Sequence, residues 1–81
     1  MVFPWTIHND RQSVSVGINA RIGILKRQKK KPVRIRLGGW ASQQFLKEHW
    51  LEHVPRETFY YAGLPVIFND PKVIGIAVEG D

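Results

Sequence analysis

The apolar pattern of this chain changes its period at Gly38-Gly39, so the fold must contain both strands and a helix. Upstream, Val14, Val16, Ile18, Ala20, Ile22 and Ile24 occupy alternate positions between Gln12 and Leu25. Ser13, Ser15, Gly17, Asn19, Arg21 and Gly23 fill the opposite parity. That is a strand period, with the even-numbered residues facing the core. The segment is long for one strand, and Gly17 and Gly23 permit bends, so it predicts two strands or one bent strand. Val33, Ile35 and Leu37 alternate with Arg34 and Arg36 to give a further strand, and the polar residues 26–32 between them read as a hairpin loop.

Downstream of the two glycines, Phe45, Leu46, His49, Trp50, His53 and Val54 recur at spacings of three and four. This predicts one amphipathic helix over residues 42–54, with Ser42 capping its start and Pro55 just past its end. From Thr58 to Val78 aromatic and β-branched residues dominate. They predict a strand from Phe59 to Phe68, interrupted at Gly63 to Pro65, and another from Val73 to Val78. Both parities are apolar there, so these strands are expected to be covered on both faces. Asn69-Asp70-Pro71-Lys72 separates them as a turn, because Asn and Asp side chains bond local backbone and Pro fixes one φ angle. The expected fold class is α+β: an antiparallel sheet or small open barrel of about five strands, in the order β-β-β-α-β-β, with the single helix packed on it.

With 81 residues, one domain spanning 1–81 is expected. There is no cysteine, so disulfides and thiolate metal sites are excluded and the core, or a partner subunit, must supply the stability. The longest uncharged stretch, Thr58 to Asn69, contains Gly63 and Pro65 and is too short to span a bilayer. Met1 to Trp5 lacks the blocks of a signal peptide, and Val2 stands where myristoylation requires glycine. A soluble intracellular, cytoplasmic protein is the expectation.

Charge is distributed unevenly. Arg21, Lys26, Arg27, Lys29, Lys30, Lys31, Arg34 and Arg36 fall in one window that holds no acidic residue. Outside it the remaining Lys and Arg are outnumbered by seven Asp and Glu, so the net charge of +5 is entirely local. On a β-hairpin these eight would form one ridge, with Arg34, Arg36 and Arg21 side by side on its outer face and the loop lysines extending it. Such a ridge suits phosphates, whose neutralisation releases counterions and adds affinity without base reading. The sequence therefore points to a small non-enzymatic nucleic-acid-binding protein that contacts DNA or RNA phosphates through these eight residues. The bland alternative is a solvated face. An acidic protein surface, an anionic membrane and an import signal at Lys29-Lys30-Lys31-Pro32 remain open. A rival of another class is a protein-interaction module, such as an inhibitor or an assembly or accessory factor, viral ones included. It would be steered by the ridge and would dock by an aromatic patch or a sheet edge, and pairing of Val73 to Val78 with a second copy would make a homo-oligomer.

Aromatic residues add little to the nucleic-acid case. Phe59, Trp50 and Trp40 are assigned to the core, Tyr60 and Tyr61 to opposite faces of a strand, and Trp5 to an exposed contact. His49-Trp50-Leu51-Glu52-His53 resembles the inverzincin zinc motif in spacing and His8 and Asp10 could complete a site, but no second helix follows to carry a third ligand, so the pair reads as two partly buried histidines on the amphipathic face of the helix. Ser13, Ser15 and Ser42 lie in no Gly-x-Ser-x-Gly elbow and beside no histidine in sequence. Gly38-Gly39 fits neither phosphate-loop nor dinucleotide pattern and reads as a strand-to-helix hinge. No catalytic residue, metal or cofactor is expected.

Overall fold

A computed structural model of the protein describes residues 13–81. Expectations for Met1 to Trp5, His8 and Asp10 lie outside the described residues. The elements run α1 (Val14–Arg27), β1 (Pro32–Leu37), α2 (Gly39–Glu48), β2 (Phe59–Tyr61), β3 (Leu64–Ile67) and β4 (Ile76–Gly80). The fold is α+β, as the period change requires, with the strands in one sheet ordered β2-β3-β1-β4.

Where strands were expected from Gln12 to Leu25, the described part of that segment forms α1, which begins at Val14 behind its N-cap Ser13. The alternating series contains a helical one: Val14, Ile18 and Ile22 are four residues apart and share a helix face as readily as a strand face. Val14 and Ile18 are buried and Ile22 packs against the same cluster, while Val16 and Ile24 are left exposed. Two devices favour the helix, one local and one long-range. Ser13 caps it by accepting from the Val16 amide at 2.9 Å. Glu48, the last residue of α2, accepts from the Val14 amide at 2.6 Å and the Ser15 amide at 3.1 Å, which places a carboxylate at the positive end of α1.

With α1 helical, residues 26–32 cannot close a hairpin. They turn a helix into β1. The second helix is also displaced from residues 42–54: Gly38 is its N-cap, and it ends at Glu48. Ser42, expected as the cap, is instead buried in the first turns, where its hydroxyl donates to the Leu37 carbonyl and accepts from the Asn69 amide at 2.8 Å. This bridge ties β1, α2 and the 69–72 turn together.

The sheet is mixed, not antiparallel. β1 runs parallel to β3, with Ile35 opposite Val66, and the connection between them is long because it includes both α2 and the oppositely directed β2. β2 and β3 form a hairpin, so the interruption at Gly63 to Pro65 is a reversal of direction. β4 returns antiparallel to β1 on the other edge. One sheet face bears Ile35, Leu37, Val66, Ile76 and Val78, which close with Val14, Ile18, Ala41 and Phe45 into a single core. The other face bears Arg34, Arg36 and Glu79. The strands are therefore covered by helices on one side only among the described residues. α1 lies along β4 closely enough that a Cβ on Gly80 would stand 2.8 Å from Leu25 Cδ2.

Candidate nucleic-acid interface

Lys26 and Arg27 close the last turn of α1, where cations meet the negative end of the helix dipole. Beyond the C-cap Gln28, the Lys29 amide donates to the Lys26 carbonyl at 3.0 Å and the Lys30 amide to the Leu25 carbonyl at 2.9 Å. This pair of bonds is the Schellman closure, and it forces Lys29 to φ 62°, a conformation that favours glycine. The Lys31 carbonyl in turn accepts from the Asp81 amide at 2.8 Å. The backbone of the turn is thus fixed while its side chains project. Lys26, Arg27, Lys29, Lys30 and Lys31 are all exposed, and none forms an ion pair among the described residues.

Lys29→Gly should relieve the left-handed backbone and raise stability by about 0.5–1 kcal/mol. A urea melt checks this, and a loss of stability would show that the lysine side chain stabilises the turn.

The other three cations are placed elsewhere. Arg34 and Arg36 sit on the open sheet face and are neutralised internally: Arg34 Nε lies 2.8 Å from Glu79 Oε1, and Arg36 Nη1 donates to Asp70 Oδ2 at 2.9 Å. Arg36 Nε is also 2.9 Å from Glu79 Oε2, but that N–H is not aimed along the oxygen, so the contact is ionic and not a directed hydrogen bond. Asp70 is buried, and its carboxyl is held below its ordinary value first by the Lys72 amide donating to Oδ1 and then by Arg36, against a desolvation that opposes both. It stays ionised at ordinary pH and keeps Arg36 engaged. The two arginines therefore hold β1 to β4 and to the 69–72 turn. Their partners, Glu79 and Asp70, are distant in sequence, which is why spacing alone did not reveal them.

Arg21 is five residues before Lys26, which sets the two roughly 140° apart around α1. It stands beside β4, where its Nη1 donates to the Gly17 carbonyl at 3.1 Å. The eight cations consequently divide into five at the end of α1 and the turn that follows it, a paired network beneath the sheet, and a separate arginine on the flank of α1.

Arg21 lines a groove of about 350 Å³ with Gly17, Trp40, Ile74, Gly75 and Ile76. Trp40 is 61% exposed and Ile74 97% exposed, so the assignment of Trp40 to the core is corrected. Trp50 is corrected too. It occupies the C′ position of α2 at φ 59° and is 93% exposed, because the Leu51 amide closes that helix onto the Leu46 carbonyl at 2.8 Å. Phe59 is half-buried against Phe45. Tyr60 and Tyr61 diverge as expected, Tyr60 outward and Tyr61 inward, with the Tyr61 hydroxyl donating to Asn19 Oδ1 at 3.1 Å.

Two further constellations bear on chemistry. Because α2 stops at Glu48, His49 and His53 do not share a helical face, and no three His, Asp or Glu side chains converge among the described residues. Sequence reading missed that folding sets Ser15 Oγ 3.0 Å from His49 Nε2 and 3.1 Å from Glu48 Oε1. The Glu48 carboxylate already takes the Val14 and Ser15 amides, the donors that would stabilise an oxyanion beside this serine. The trio thus acts as a helix cap, with Ser15 donating to Glu48 and accepting from His49. No described helix is long and apolar enough to cross a membrane.

Comparison with known proteins adds no family to this geometry: no family model matches the chain, no curated protein matches it, and no solved structure matches it.

Proposed function

We propose that this chain is a non-enzymatic nucleic-acid-binding domain whose phosphate contacts come from Lys26, Arg27, Lys29, Lys30 and Lys31, with little reading of base sequence. The supporting observation is the concentration of five exposed cations, unpaired among the described residues, on a turn whose backbone is fixed at both ends. A rigid turn that projects flexible lysines neutralises backbone charge but offers no planar array aimed at base edges. Arg34 and Arg36 stay outside this contact set, since recruiting them would cost their pairing with Glu79 and Asp70.

Titrating a labelled oligonucleotide at several salt concentrations tests the proposal. If four or five phosphates are neutralised, log affinity should fall against log salt with a slope of about −3 to −4. Reversing Lys29, Lys30 and Lys31 to glutamate should weaken binding roughly 100-fold and to a similar extent across sequences. A flat salt response, or full binding by the triple variant, would remove the proposal.

A second reading has one observation in its favour. Among the described residues β4 is an edge strand; it has neither proline nor lysine, and its only charged side chain, Glu79, is engaged by Arg34 and Arg36. Edges left this plain accept another strand, which would make the chain a protein-interaction module or a homo-oligomer. Sedimentation across a concentration series separates the two: a tight oligomer favours edge pairing, and a monomer favours the cationic turn acting alone.

A further inference from the structure

The groove beside Arg21 is built from three separate parts of the fold. The flank of α1 supplies Gly17 and Arg21, the first turn of α2 supplies Trp40, and the approach to β4 supplies Ile74 and Gly75. Gly75 sits at φ 85°, and a Cβ placed there would lie 3.9 Å from Trp40 Cζ2, so the indole rests against bare backbone and leaves its ring available to the groove. Among the described residues, Arg21 is the only charged one that lines it. Its bond to the Gly17 carbonyl uses one of the guanidinium donors and steadies the head along the wall, leaving the others for a ligand. An exposed tryptophan beside one positive fork fits a planar ring joined to an anion.

Resting on the nucleic-acid reading above, we infer that this groove takes one unpaired nucleotide of a single strand, its base stacked on Trp40 and its phosphate on Arg21. Base stacking needs an accessible aromatic face and little sequence preference, and charge-assisted bonds from a guanidinium suit phosphate oxygens. The same α1 ends in the cationic turn, about 10 Å further along its axis from Arg21. A strand leaving the groove reaches Lys26 and its neighbours by winding part of the way around α1 as it advances. The pairing gives the protein a preference that phosphate contacts alone cannot supply, because a base locked in a duplex cannot enter the groove.

The test reports on Trp40 directly. The chain has three tryptophans, so a Trp5→Phe/Trp50→Phe background leaves Trp40 as the sole emitter. Oligothymidylate should quench its fluorescence, a duplex should bind without quenching, and thymidine monophosphate should quench only at concentrations far above those of the oligonucleotide. Arg21→Gln and Trp40→Ala, both at exposed positions, should each weaken single-strand binding about 10-fold or more while leaving duplex binding and the thermal melt unchanged. Salt-dependent oligonucleotide binding with no Trp40 quenching and no effect of either variant would overturn the groove assignment and leave the cationic turn standing. Absence of any oligonucleotide binding would overturn both. Equal affinity for the mononucleotide would assign the groove to a free nucleotide and refute the strand. Trp40 emission that follows protein concentration and ignores nucleotide would assign it to a second copy, which equally refutes the proposal.

Discussion

Truncation of Phe45 to alanine is expected to destabilise the protein by about 3–5 kcal/mol. A domain of this length has a total stability of roughly 4–12 kcal/mol, so one such loss is a large fraction of it. Phe45 is fully buried on the inner face of α2. Its ring meets Phe59 and Tyr61 edge-on, each at 5.7 Å between centroids, and Phe68 at 5.8 Å. Alanine would remove the shared partner of three rings that come from β2 and the segment after β3. Those strands are too short to close over the gap. Phe45→Leu keeps most of the volume and should cost less than half as much, forfeiting the edge-to-face contacts. Urea denaturation followed by circular dichroism checks both variants. A loss below about 1 kcal/mol for the alanine variant would mean that the aromatic cluster is not the centre of the core.

Gly38→Ala should be the second most damaging single change, at about 2–3 kcal/mol, or roughly 10–20 °C in midpoint for a chain this small. Gly38 has φ −74° and ψ −176°, backbone that any residue adopts, so conformation is not the obstacle. Space is. An added Cβ would lie 2.3 Å from the Val73 carbonyl oxygen and 3.1 Å from the Gly75 amide nitrogen. Both atoms are main chain, and the Gly38 amide also donates to the Gly75 carbonyl at 2.8 Å. Relief therefore requires residues 73–75 to move away from α2, which opens the groove wall between Trp40 and Ile74. Gly39→Ala is the control, since nothing lies within 4 Å of a Cβ there and the position is helical. It should be neutral or slightly stabilising. Similar melting temperatures for the two variants would contradict the steric account.

The sequence supported the fold class because each side of Gly38-Gly39 carried the apolar supply for its layer. It misplaced the first element because a run of apolar residues at every second position also supplies every fourth. What separates the alternatives at Val14 to Ile24 is the Ser13 cap and the reach of Glu48, and the second depends on a contact 34 positions away. The end of α2 was overrun for a similar reason. Trp50 and Val54 continue the apolar pattern, yet the chain turns left-handed at Trp50 and leaves it in solvent. The 69–72 turn was legible because its chemistry is local: the Asp70 side chain bonds the amide two residues on. The cationic window was equally plain, but its division was not. Arg34 and Arg36 look identical to their neighbours until β4 brings Glu79 across the sheet. The groove had no signature at all, because Arg21, Trp40 and Ile74 belong to three segments that only the completed fold assembles.

The packing of α1 along β4 sets a timetable for biosynthesis. The helix is made early, but the strand it covers follows some fifty residues later, and α1 has few other apolar partners before β1 and α2 emerge. At ordinary elongation rates this leaves Ile18 and Ile22 waiting on the order of several seconds for their last neighbours. Faster translation through residues 28–75 would shorten that interval, and a pause there would lengthen it.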